Sequence, residues 1–203
     1  MRKLFLATLL VACFAPAAFA QSADDYNKYD IYAGYSHNRV DVGIDDGDTD
    51  PDDIFDEREG FHGFEAAVKG NVSRYVGLKG AYTYHRRSFD FSDGFDDFDV
   101  DATAHTFLGG VEFKDNSKET KIKPFAHILA GVTNARFDVD VADTDIDDFE
   151  DSETGFAGAF GGGFDIRIND RVDFRAIQFD YAPTRLGGEV QHNFRIGVGV
   201  VFR

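Results

Sequence analysis

Covalent cross-links are ruled out first, because the 203 residues contain one cysteine, Cys13, which sits in a leader-like N-terminal stretch. A chain without disulfides takes its stability from hydrogen bonding and burial, or from a membrane. Beyond residue 20 there is no apolar run of 18 or more residues, so no transmembrane helix can be built. Positive charge is scarce as well: 21 Lys and Arg stand against 37 Asp and Glu, a formal charge of −16. Such an excess of carboxylates argues against nucleic acid as a partner. There are four prolines against 21 glycines, 22 phenylalanines and eight tyrosines. That mixture fits twisted strands with a crowded interior rather than a disordered chain.

The first twenty residues read as an export signal: Arg2 and Lys3, an apolar run from Leu4 to Phe14, and Ala18-Phe19-Ala20 ahead of Gln21. The competing reading is a lipoprotein box at Leu10-Val11-Ala12-Cys13, which would make Cys13 a lipidation site. Loss of Arg2 and Lys3 with the leader takes the charge from −16 to −18. Residues 21–203 are enough for one domain.

What is present is alternation. In Asn193–Arg203, Phe194, Ile196, Val198, Val200 and Phe202 share one parity, and Arg195, Gly197, Gly199 and Val201 the other. Successive strand residues face opposite sides, so this stretch has one continuous apolar face. As a free edge it would invite aggregation; as a closing strand in lipid it would not. The same period of two marks Tyr29–Val40, Phe61–Gly70, Tyr75–Phe89, Thr103–Phe113, Ile122–Arg136, Gly155–Ile168 and Arg171–Tyr181. In Arg171–Tyr181 the parity breaks, Val172 and Phe174 being even and Ile177, Phe179 and Tyr181 odd, which predicts a β-bulge near Ala176. Between these eight strands, Asp41–Glu59, Asp90–Asp101, Asp138–Glu153 and Pro183–His192 read as long loops, the first three dominated by acid. The other connections are short. Long and short connections in alternation are the pattern of an antiparallel transmembrane β-barrel, long loops outside the cell and tight turns in the periplasm. A soluble ligand-enclosing barrel with the faces reversed is the competing fold.

The motifs YDIYAGY (Tyr29–Tyr35), FLGGVEF (Phe107–Phe113), KPFAHILAG (Lys123–Gly131), FGGGF (Phe160–Phe164) and Phe194–Phe202 resemble the eight-stranded outer-membrane barrels of the OmpA, OmpX and opacity-protein type. The resemblance spans the chain after the leader. It implies an all-β barrel in the outer membrane of a two-membrane bacterium, among outer-membrane lipid and lipopolysaccharide, with an extracellular ligand or surface meeting the loops. Family members usually end on the aromatic residue itself, whereas here Arg203 follows Phe202. The resemblance does not extend to the peptidoglycan-binding domain of OmpA, so it implies no cell-wall tether. Glycine and aromatic motifs specify fold, not function.

The parity opposite the apolar one carries Glu65, Lys69, Lys79, Arg87, Glu112, Asp165, Arg167, Asp173, Arg175, Asp180 and Arg195. Charges of both signs in a narrow interior read as a paired plug, with a small gated pore as the alternative. In the first acidic stretch Asp48, Asp50, Asp52, Asp56 and Glu59 fall at positions 1, 3, 5, 9 and 12 of an EF-hand-like spacing, although Asp53 stands where the turn glycine belongs. Clustered carboxylates suit hard divalent cations, calcium or magnesium. Solvated anionic loops without a bound ion are the plainer reading. Barrel enzymes exist, so His37, His62, His85, His105, His127 and His192 are candidate bases, with Ser36 and Ser88 as candidate nucleophiles. Ser36 and His37 lie on opposite faces, as do His85 and Ser88, and no His-x-Ser pairing is present. The expectation is therefore no catalytic centre and a structural or surface-interaction role.

Overall fold

In a computed structural model the described residues are 26–41, 58–92, 97–117, 119–141 and 149–203. Residues 1–25, with the leader and Cys13, lie outside them. The strands are β1 (Tyr29–Asp41), β2 (Arg58–Asn71), β3 (Val76–Ser92), β4 (Asp97–Lys114), β5 (Ile122–Val141), β6 (Phe149–Arg167), β7 (Val172–Tyr181), β8 (Thr184–Leu186), β9 (Glu189–Gln191) and β10 (Phe194–Phe202). Neighbours run β5-β4-β3-β2-β1-β10-β7-β6, and pairing of β5 with β6 closes the ring. Every pairing is antiparallel, so this is the eight-stranded barrel the alternation predicts. The last strand closes it: Ile31 stands opposite Phe202 on one side, and Arg195 opposite Asp180 on the other.

The two parities separate as expected. Ile31, Tyr35, Phe64, Val68, Leu78, Phe107, Ile128, Val132, Phe160, Phe179, Ile196 and Phe202 are exposed on the outer wall, where acyl chains solvate them. Residues of the other parity are buried, and most are polar. The bulge is at Ala176: Phe164 pairs with Ile177 but Asp165 with Arg175, and the β10 register shifts over the same residues. The extra residue brings Gln178 and Asp180 onto the buried side with Asp173 and Arg175.

Two expectations need correction. Much of Asp90–Asp101 and Asp138–Glu153 is strand, since β3 and β4 pair out to Ser92↔Asp97 and β5 and β6 out to Val139↔Phe149. The segments Phe89-Asp90-Phe91 and Asp97-Phe98-Asp99-Val100-Asp101 keep the period of two, and that alternation prevails over the weak strand preference of aspartate. Pro183–His192 is a hairpin, not an open loop. β8 lies against β6 at Phe156↔Arg185, and β8 and β9 join through Gly187 and Gly188 at φ 61° and 88°. Two successive positive φ values make the tight turn that matches strand twist, and glycine adopts them without penalty.

Candidate functional site

Two regions carry chemistry, the lumen and the extracellular ends of the strands. Tyr32 on β1 reaches across the lumen because its neighbours yield space: a Cβ on Gly34 would fall 2.3 Å from Tyr32 Oη, and one on Gly199 2.8 Å from Tyr32 Cε2. The Arg175 guanidinium packs over the rings of Tyr32 and Phe125, at 4.4 and 3.9 Å. From there the ion pairs run through the barrel. Arg175 Nε donates to Asp165 Oδ1 at 2.8 Å and Nη2 to Oδ2 at 3.2 Å, a two-pronged contact that fits the planar fork of arginine. Lys114 holds Asp165 at 3.1 Å and Asp30 at 2.8 Å, and Lys69 holds Asp30 at 2.8 Å and Glu112 at 2.9 Å.

Toward the outer end, Lys79 meets Glu65 at 3.0 Å, and Gln178 Nε2 donates to both Glu65 and Asp180, at 2.9 and 2.8 Å. Asp180 also takes Arg195 at 2.5 Å and His127 at 2.9 Å. At the periplasmic end Asp173 takes Lys123 at 3.5 Å and Arg203 at 2.6 Å. Among the described residues, a gap in the lumen lined by Asp30, Tyr32, Lys69, Lys79, Glu112 and Arg175 measures about 10 Å³, room for a single water. Burial of this many charges is tolerable only because each faces an opposite one.

Nine of the eleven charges expected inside are there. The two exceptions are Arg87, half-buried at the outer mouth and donating to the Gly60 carbonyl at 3.1 Å, and Arg167, which pairs with Asp170 in the periplasmic turn. Sequence reasoning missed Asp30, Lys114, Lys123 and Arg203 as members. Lys114 and Arg203 sit at strand ends and continue the inward parity of Glu112 and Val201. Asp30 and Lys123 were legible from parity alone. Phe202 keeps the outward aromatic position and Arg203 turns in to Asp173.

Among the candidate catalytic residues, Ser36 and His37 lie on opposite faces, as do His85 and Ser88. Parity did not reveal that Ser36 and His85 meet, Oγ to Nε2 at 2.9 Å. They belong to β1 and β3 and touch across β2 because the residue between them in register is Gly63. Both are buried, and among the described residues no carboxylate is bonded to His85, so the pair has the form of an interior polar bridge. His37, His62, His105 and His192 are on the outer wall. Three of these have a tyrosine hydroxyl within hydrogen-bonding distance of Nδ1: Tyr35 with His62 at 2.5 Å, Tyr82 with His105 at 2.8 Å, Tyr181 with His192 at 2.5 Å. Together with Phe64, Phe107 and Phe194 they form the aromatic girdle at the outer lipid boundary.

Beyond the girdle the strand register aligns acidic residues. Asp90, Asp99 and Asp140 occupy one rung across β3, β4 and β5; Asp101, Asp138 and Glu150 occupy another across β4, β5 and β6. Between them runs an apolar rung, Phe89, Val100, Val139 and Phe149. At the base of this region Asp101 accepts from Arg86 at 2.7 Å and Ser88 at 2.5 Å. Of the cation ligands read from the sequence, Asp48, Asp50, Asp52 and Asp56 lie outside the described residues; Glu59 is in β2, opposite Val40. The structure therefore leaves that spacing as a sequence expectation.

A family model described as an outer membrane protein beta-barrel domain matches residues 5–202. No curated protein matches the chain by sequence. Among solved structures, Ail, the attachment invasion locus protein of Yersinia pestis, is 18% identical with a TM-score of 0.56, covering 86% of this chain and 97% of that one. The same protein in complex with the heparin analogue sucrose octasulfate gives 19% identity, a TM-score of 0.53 and the same coverage. OprG from Pseudomonas aeruginosa is 14% identical with a TM-score of 0.49, covering 88% of this chain and 96% of that one.

Proposed function

The chain belongs to the outer membrane protein β-barrel family, and on that premise we propose that it acts at the cell surface through its acidic strand extensions. The observation that carries this reading is the stacking of Asp90, Asp99 and Asp140, and of Asp101, Asp138 and Glu150, in rungs beyond the girdle. Like charges directly opposite one another on neighbouring strands repel. A divalent cation or a cationic partner set against them relieves that repulsion, and calcium or magnesium suits an all-carboxylate set. In the sequence between β1 and β2, the spacing of Asp48, Asp50, Asp52, Asp56 and Glu59 points to the same kind of ion.

A barrel of this fold, Ail, is known with a sulfated ligand, which supports an extracellular ligand as the kind of partner. A polyanion is the wrong sign for the acidic rungs. Their complement is a cation or a basic surface, met in a salt-dependent way. The filled lumen favours this reading over a pore, and the enclosed Ser36–His85 pair offers no substrate a path to it, so the proposed role is non-catalytic.

Titration calorimetry of the refolded chain with calcium at millimolar concentration tests it. Heat that disappears when Asp90, Asp99, Asp101, Asp138 and Asp140 are changed together to Asn supports the reading. Absence of calcium heat, together with undiminished surface binding by a barrel whose hairpins are cut back, contradicts it.

A further inference from the structure

The outer wall holds a second kind of site. His37 on β1 and His62 on β2 are directly opposite in the antiparallel register, on the outward parity, one rung above Tyr35 and Phe64. Their ring centres are 4.8 Å apart with the planes tilted by 47°. An imidazole nitrogen bound at about 2.0–2.1 Å places a metal ion about 3.2 Å from its ring centre. Two such rings meeting at one ion at angles from about 90° to about 109°, the square-planar and tetrahedral values, have centres about 4.5–5.2 Å apart. The observed separation falls inside that window without movement of either strand.

The surroundings hold the two rings in place. A Cβ on Gly60 would lie 2.9 Å from His37 Cε1 and 3.3 Å from Nε2, so glycine there is what lets the His37 ring lie over β2 beside His62. Tyr35 Oη is 2.5 Å from His62 Nδ1. In the tautomer whose Nδ1–H donates to the Tyr35 hydroxyl oxygen, Nε2 carries the lone pair that meets a metal. His37 Nδ1 is buried and has no hydrogen-bond partner among the described residues. Above His62↔Arg86 the register of β2 and β3 ends, and a cleft of about 660 Å³ lined by Gly60, His62, Arg86, Arg87 and Ser88 opens to water. Solvent from that cleft can complete the coordination sphere.

We propose that His37 and His62 form a two-imidazole site for a borderline divalent transition ion, copper(II) before zinc(II), with Tyr35 as its positioning residue. The donors are two imidazole nitrogens with no carboxylate between them, whereas calcium and magnesium take oxygen ligands, so the pair suits a borderline ion rather than a hard one. Binding rests on nitrogen donor strength, which favours copper along the divalent series. This site is independent of the acidic rungs.

The test is titration of the refolded, tag-free chain in detergent with copper(II) and with zinc(II), read by calorimetry and by the copper electron paramagnetic resonance spectrum. One equivalent of copper should bind with nitrogen hyperfine structure from two imidazoles. His37→Ala and His62→Ala should each weaken it at least tenfold, Tyr35→Phe about tenfold, and His105→Ala, which removes another tyrosine-bonded imidazole, should leave it unchanged. Boiling-dependent gel mobility confirms that each variant is folded. Undiminished copper binding by the folded His37→Ala, His62→Ala double variant, or no nitrogen-coordinated copper on the unaltered chain, overturns the proposal.

Discussion

Asp180 is among the most heavily partnered interior carboxylates, with Arg195, Gln178 and His127 all close to it. Asp180→Ala leaves Arg195 without its nearest counter-charge in a site closed to water. Removing one member of a buried pair costs about 3–5 kcal/mol, so urea unfolding from lipid vesicles should show a loss of that order. Asp115 makes a second prediction, at the periplasmic turn. Burial raises its pKa, but hydrogen bonds from Arg74, from the Ser117 amide and from Thr120 outweigh that and hold the carboxyl well below its usual range. A depressed carboxyl contributes stability above its unfolded pKa of about 3.9, and the contribution is lost as pH falls further through the folded value. The expectation is a smaller difference in unfolding midpoint between pH 7 and pH 3 in Asp115→Asn than in the unaltered chain. Single-residue parity predicted most of the interior. It could not foresee the Ser36–His85 contact, which depends on a third residue, Gly63, having no side chain.

At the scale of the element, the bulge in β7 was legible because the parity of Val172 and Phe174 contradicts that of Ile177 and Phe179, and one inserted residue reconciles them. Deleting Ala176 would remove the insertion and leave a regular alternation, with Asp173, Arg175, Gln178 and Asp180 still inward and Phe174, Ile177 and Phe179 outward. The account predicts that the deleted chain keeps the boiling-dependent gel shift of a closed barrel, and that loss of the shift would contradict this reading of the bulge. The β8–β9 hairpin is a separable element, since its two glycines at positive φ serve the turn alone. Gly188→Val should expose Arg185 to trypsin while the gel shift persists. Strand extension past the girdle was less legible. Aspartate content suggested loop, while the alternation of Asp with Phe and Val carried the opposite message, and cross-strand pairing decided between them.

For the whole molecule, the arrangement places apolar residues toward lipid, paired charges inside and carboxylates at the outer end. The first two were legible from the period of two; the rungs were not, because they depend on how strands far apart in sequence are aligned. On the proposed reading function lies outside, on a barrel whose interior is filled with paired charges. Current through single molecules in a planar lipid bilayer tests that claim most directly. The account predicts a silent membrane with the unaltered chain and conducting events once Arg175, Lys79 and Glu112 are replaced together by alanine. Steady, sizeable openings from the unaltered chain would contradict it.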